Sequence, residues 1–173
     1  MNPPPAHSRQ GELLFDDAHF TLPPAAPFGV FSSSPIRARF ALHAAGDATV
    51  CRCDRELVFG SPCAVSLRFE QDRLAQAELF LHLPGDTTDW NSWTQAQEFE
   101  RKHAAQAWAA RVFGVPLVPM PIDVDGASVI PEWGDRTPLH AVHPWGVIQS
   151  FYDSKGGSSY MRIKYGPAPG LTQ

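Results

Sequence analysis

The stretch Trp145-Gly-Val-Ile-Gln-Ser-Phe-Tyr-Asp-Ser-Lys-Gly-Gly-Ser-Ser-Tyr-Met-Arg-Ile-Lys-Tyr165 decides the fold class. Two β-rich runs flank Asp153 to Ser158, a glycine-rich segment of the kind that reverses a chain into a hairpin. In the second run Met161, Ile163 and Tyr165 alternate with Tyr160, Arg162 and Lys164. A period of two places the first set on a buried face and the second on a wet one. The C-terminal third therefore contributes a hairpin to a sheet.

Upstream, Thr94 to Phe113 reads as the principal helix. Thr94 with Gln97 three residues on fits a capping box, and Gly114 followed by Pro116 fits a helix end. Glu98 and Lys102 are spaced as an i,i+4 ion pair. Phe99, His103, Ala107, Ala110 and Phe113 form one stripe; Ala105, Trp108 and Val112 lie nearly opposite. Such a helix is expected to be covered on two sides.

From Ile36 to Leu83 the pattern is that of an antiparallel meander. Phe40 and Leu42 begin it, and Ala48 to Cys53 follows the Gly46-Asp47 turn. Val65, Leu67 and Phe69 alternate in the next strand, and Ala75 to Leu83 in the one after Gln71-Asp72-Arg73. Leu13 to Phe15 and Phe20 to Leu22 read as a small hairpin or an edge strand and loop. Pro23, Pro24 and Pro27 then interrupt regular structure.

Length and composition narrow the function classes. A chain of 173 residues suits one domain and can bury roughly 70% of its unfolded surface. A net charge of −4 with no Lys/Arg cluster argues against binding nucleic-acid phosphates. No secretory signal or membrane-length apolar run is evident, which points to the cytoplasm. Three cysteines, an odd number, suit a reducing compartment.

Catalytic signatures are missing. Cys51-x-Cys53, Cys63 and His140-x-x-His143 are candidate metal ligands, but the spacing lacks the Cys-x-x-Cys knuckle of common zinc sites. Asp123-Val-Asp125-Gly126 lacks the glutamate a calcium loop needs at its twelfth position and reads as a turn. No Gly-x-Ser-x-Gly elbow or phosphate-binding glycine loop occurs. Asp153 reads as an Asx-type turn residue and Lys155 as a solvated charge. His103 reads as a packed histidine with one hydrogen-bonded ring nitrogen. The alternative makes it a general base in a helix–sheet cleft, with Asp153 as orienter or acid.

Trp90-Asn-Ser-Trp93-Thr, followed by Glu98, Glu100-Arg-Lys102-His103 and Trp108, resembles the helix of a family of small bacterial proteins. The likeness continues at Trp145-Gly146, Ile148, Ser150, Tyr152-Asp153, Lys155, Gly157-Ser158 and Tyr165. It spans roughly residues 69 to 165. The family has no established activity; its members resemble proteins encoded beside interbacterial toxins. The likeness implies a shared fold more strongly than a shared function.

These readings converge on an α+β domain over 12–166: an antiparallel sheet of about six strands, one main helix packed on it and the C-terminal hairpin. Residues 1–11 and 167–173 are expected to be tails, and 115–144 a long proline-rich loop. The expected function is a cytosolic protein-binding module, with occlusion of a bacterial toxin by an immunity-type protein as its concrete form. Trp133, Tyr160 and Arg162 are its expected anchors. A small-ligand protein or enzyme built around His103 is the alternative. A structural component whose hairpin edge pairs with a copy of itself is a third reading. No metal, cofactor, nucleic acid or membrane is expected; monomer and homodimer are both left open.

Overall fold

A computed structural model describes residues 10–86 and 92–166. The expected tails at 1–9 and 167–173, and Trp90 and Asn91, lie outside the described residues.

The chain opens with β1 (Leu13–Phe15) and β2 (Phe20–Leu22), an antiparallel hairpin turned by a short 3-10 segment. The expected tail ends sooner than Gly11, whose backbone is buried flat against the Trp145 indole; a Cβ there would come within 2.3 Å of the ring. A short helix, α1 (Phe28–Ser32), follows the prolines. Then come β3 (Ala41–Ala45), β4 (Ala48–Val58), β5 (Ser61–Glu70) and β6 (Arg73–Leu81), the expected meander. Helix α2 (Gln95–Phe113) starts at Thr94, whose Oγ1 accepts the Gln97 N–H, and stops at Gly114 with φ +76.

Residues 115–144, expected as a long proline-rich loop, contain short regular elements. They hold β7 (Val118–Pro119), β8 (Ile122–Val124), β9 (Ala127–Val129), a 3-10 turn at Gly134–Arg136 and β10 (Leu139–His143). The Asp125-Gly126 pair, both at positive φ, turns the β8–β9 hairpin, as the turn reading of that motif requires. The closing hairpin is β11 (Gly146–Asp153) and β12 (Ser158–Tyr165), paired from Gly146↔Tyr165 to Asp153↔Ser158.

Among the described residues, ten strands form one sheet in the order β2-β1-β4-β5-β6-β12-β11-β10-β7, with β3 beside β4. Every pairing is antiparallel, and the number of strands exceeds the six expected. The C-terminal hairpin sits in mid-sheet, between β6 and β10. That placement overturns the reading in which the hairpin offers a free edge to a second copy.

One face of the sheet is covered. Helix α2 packs on β12, β11 and β6, burying Ile148, Met161, Ile163 and Leu79. Toward the other end, Phe28 and Phe31 of α1 meet Phe69 of β5, and Phe40 packs edge-on against Phe15 and Phe31. All these side chains belong to one hydrophobic cluster except Phe28, which packs against it. No helix among the described residues lies over the opposite face.

The helix buries one stripe, not two. Glu98, Arg101, Lys102, Ala105, Trp108, Ala109, Val112 and Phe113 face inward, whereas His103 and Ala107 are exposed. The apolar pattern misled because three charged side chains occupy the buried stripe. No described helix is long and apolar enough to cross a membrane.

Candidate functional site

The sheet splits between β6 and β12. Their ladder runs from Gln76↔Lys164 to Leu79↔Met161 and stops. Continued by two residues, it would pair Leu81 with Ser159. Helix α2 fills the gap instead. Glu98 Oε2 accepts the Ser159 N–H at 2.7 Å, and Arg101 Nη1 donates to the Leu81 carbonyl. Glu98 and Arg101 also contact each other at 3.3 Å. An ion pair thus stands in for one rung of the sheet, satisfying a donor and an acceptor that the split leaves over.

Arg101 has further partners. Its Nη1 and Nη2 reach the Asp86 carboxylate at 2.5 and 3.0 Å, and its guanidinium lies 4.1 Å from the Phe80 ring centroid. Burial would raise the Asp86 carboxyl, but Arg101 and the Leu83 N–H outweigh it and hold it below the ordinary value. Burial would lower the Arg101 pKa; its bonds to Asp86 and Glu98 more than offset that. The expected Glu98–Lys102 pairing gives way to this arrangement. Lys102, only 2% exposed, instead donates to the Asp135 and Thr137 carbonyls at 2.5 and 2.7 Å. Burial pushes its pKa down against the opposing pull of Asp135.

On the uncovered side of the split lies a cleft of about 400 Å³, lined in part by Arg52, Ser66, Glu78, Phe80, Asp153 and Tyr160. Beside it Arg162 is held on several sides. Its Nε and Nη2 donate to Glu78 Oε1 at 3.0 and 2.8 Å, and Nη2 reaches the Tyr160 oxygen at 3.2 Å. The guanidinium also lies 5.3 Å from the Phe151 centroid and 5.4 Å from that of Tyr160. Arg162 and Glu78 are directly opposite across β12 and β6, so the sheet register itself creates the pair. Burial raises the Tyr160 phenol, with the Arg162 charge opposing, and keeps the hydroxyl neutral.

The expected anchors separate. Tyr160 and Arg162 meet on the uncovered face. Trp133 stands on the segment that Lys102 ties to α2, on the covered side, with 55% of its surface exposed. Its backbone is fixed: the Trp133 N–H donates to Thr137 Oγ1, which donates to the Pro131 carbonyl.

His103 is not packed. It is exposed, with Nε2 2.9 Å from Asp135 Oδ1. Asp153, its expected helper, turns on its own loop. Its carboxylate takes the N–H groups of Gly156 and Lys155, which hold its pKa below the ordinary value, as an Asx turn requires. The structure therefore gives His103 a different carboxylate partner from the one expected.

Cys51 and Cys63 belong to the hydrophobic core, and Cys53 packs against it. Cys51 and Cys63 are buried, and burial pushes their thiols to about 11 and about 12. Cys53 is raised too, by burial foremost, and its thiol points to Glu56 and the Arg55 carbonyl.

Arg101, Asp86 and Glu78 are the residues that sequence reasoning missed. Glu98 and Arg101 stand at i,i+3, a legible pair, but the partners at 78 and 86 come from another part of the chain. Comparison with protein-family models, with curated proteins and with solved structures finds no match.

Proposed function

We propose that this chain is a protein-binding module whose docking surface is the uncovered sheet face, centred on Tyr160 and Arg162. One observation carries the reading. On a face that no helix among the described residues covers, an arginine and a tyrosine are held in place by Glu78 and Phe151. A merely solvated sheet face needs no such order. Arginine and tyrosine are the side chains that most often anchor interfaces, and pre-ordering them lowers the entropic cost of binding. The cleft beside them offers a recess for a partner's side chain.

Occlusion of a bacterial toxin by an immunity-type protein is the concrete form of this proposal, and it rests on the resemblance of the α2 and hairpin motifs. Trp133, on the other side of the molecule, takes a subordinate place. The test is affinity capture from native lysate with wild-type, Tyr160→Ala/Arg162→Ala and Trp133→Ala baits. A stoichiometric protein retained by wild type and by Trp133→Ala, but lost from the double variant, supports the proposal. Equal retention by all three assigns docking elsewhere.

A further inference from the structure

The strand registers carry two unbroken rows of side chains across the uncovered face. One runs Val147, Lys164, Gln76, Arg68 and Val50; the other runs Gln149, Arg162, Glu78, Ser66 and Arg52. The row between them is Ile148, Ile163, Ala77, Leu67 and Cys51, all in the core cluster, so its two neighbours point the other way. Lys164, Arg68, Arg162 and Arg52 share the two rows with one carboxylate, Glu78. That is a formal +3 on a chain whose net charge is −4. Glu78 takes Arg162, and Glu70, past the end of the first row, takes Arg68 Nε at 2.6 Å. Lys164 and Arg52 remain, both exposed and without an ion pair among the described residues. Lys164 stands between Val147 and Gln76, and Arg52 beside Ser66, where an opposite charge would be the stabilising neighbour. Asp54 and Asp153 lie at the cleft, outside both rows.

We infer that the partner of this face is a protein that meets it with an acidic surface, its carboxylates set over Lys164, Arg68, Arg162 and Arg52. The inference rests on the docking face proposed above and adds the chemistry of its occupant. Strands lie about 4.8 Å apart, so Lys164 and Arg68, two strands apart, are separated by about 10 Å. One small anion does not span them; a surface with several carboxylates does. The arginines keep donors to offer. Arg68 gives only its Nε to Glu70, and Arg162 Nη1 is unclaimed among the described residues. Carboxylates are the groups that such donors bind in pairs.

Nucleic acid is the other polyanion that a basic row could meet, and three observations weigh against it. The Phe151 and Tyr160 rings, on which a base would stack, already lie against the Arg162 guanidinium at 5.3 and 5.4 Å. The net charge of the whole chain repels a phosphate backbone. Val142 and Val118, each 52% exposed, extend the two rows on the β10 and β7 side. An apolar border beside paired charges suits a protein surface.

Nuclear magnetic resonance titration of the full chain with three probes tests it: a Glu/Leu peptide, its Lys/Leu counterpart and oligouridylate. Only the Glu/Leu peptide is expected to shift the amides of the two rows. Arg52→Glu/Lys164→Glu is expected to weaken its binding roughly tenfold, with an unchanged thermal transition. Arg136→Glu/Lys155→Glu makes the same change in net charge at exposed positions outside the rows, and is expected to weaken binding less than about twofold. Should the first pair fail to fold, the wild-type shift map decides. No binding of the Glu/Leu peptide, shifts outside the rows, equal loss from both variant pairs, or a preference for oligouridylate overturns the inference. Adding Arg52→Glu/Lys164→Glu to the capture baits separates it from the docking reading. A protein lost from Tyr160→Ala/Arg162→Ala but retained by Arg52→Glu/Lys164→Glu keeps the docking face and overturns the acidic partner. Equal retention by every bait overturns both.

Discussion

Arg101 is 5% exposed and holds three separate segments together: the helix through Glu98, the end of β6 through the Leu81 carbonyl, and the following loop through Asp86. Removing one member of a buried ionic group leaves the others desolvated and unpaired. Arg101→Ala is therefore expected to cost ~3–5 kcal/mol in denaturant unfolding. Replacing both charges, as in Glu98→Gln/Arg101→Met, is expected to cost less than the single change. The glutamine oxygen can still accept the Ser159 N–H, and the one charge left without its cation is Asp86, which is less buried and keeps the Leu83 N–H. A double variant less stable than Arg101→Ala would show that the pair is more than a substitute rung. Lys102 follows the same logic on a smaller scale: its ammonium is buried because two backbone carbonyls receive it. In the sequence these three residues look like the polar side of an amphipathic helix. Only the backbone groups that they meet explain their burial.

At the scale of elements, the joint between α2 and the hairpin organises the molecule. Trp93 Nε1 donates to the Gly157 carbonyl at 2.5 Å, Gln95 reaches the Tyr152 hydroxyl, and Phe99 packs edge-on against the Tyr152 ring. Trp93 and Gly157, which carry the resemblance in the helix and in the hairpin, thus meet in space although 64 positions separate them. The β8–β9 hairpin is the contrasting case. Its two strands pair only with each other, and all but Ile122 are exposed. Replacing residues 122–129 with a short Gly-Ser linker is expected to change stability by less than ~0.5 kcal/mol, a shift in Tm of about 2 °C. A much larger fall would mean that the hairpin braces the sheet. The β11–β12 hairpin and the two faces of β12 were legible from the glycine-rich segment and from alternation, and so was the Asx turn at Asp153. The edge strand β7 was not, because two residues carry no period.

For the molecule as a whole, the order of the strands matters more than their number. β12 is the last of the described strands, yet it lies between β6 and β11 near the middle of the sheet. It supplies Met161 and Ile163 to the core and Arg162 to the uncovered face. Termination after Gly157 is therefore expected to abolish the cooperative thermal transition. It would strip one side of both β6 and β11 and expose Ile148 and Leu79. A truncated chain that still melts cooperatively would show that the meander and the N-terminal segment fold without the hairpin. Close packing reinforces the point at Gly146, where a Cβ would come within 2.1 Å of the Lys164 carbonyl. What the sequence determined by itself is local: strand and helix periods, caps, turns and the meander, because these depend on neighbours within a few residues. It also placed Tyr160 and Arg162 on one wet face, since alternation is a local property. Only the tertiary structure decided that β12 inserts beside β6, and with that insertion came the Arg162–Glu78 pair, the split filled by Glu98 and Arg101, and the cleft. The Glu98–Ser159 and Glu78–Arg162 contacts join residues 61 and 84 positions apart, and nothing in the local pattern encodes a contact that exists only after the chain has closed on itself.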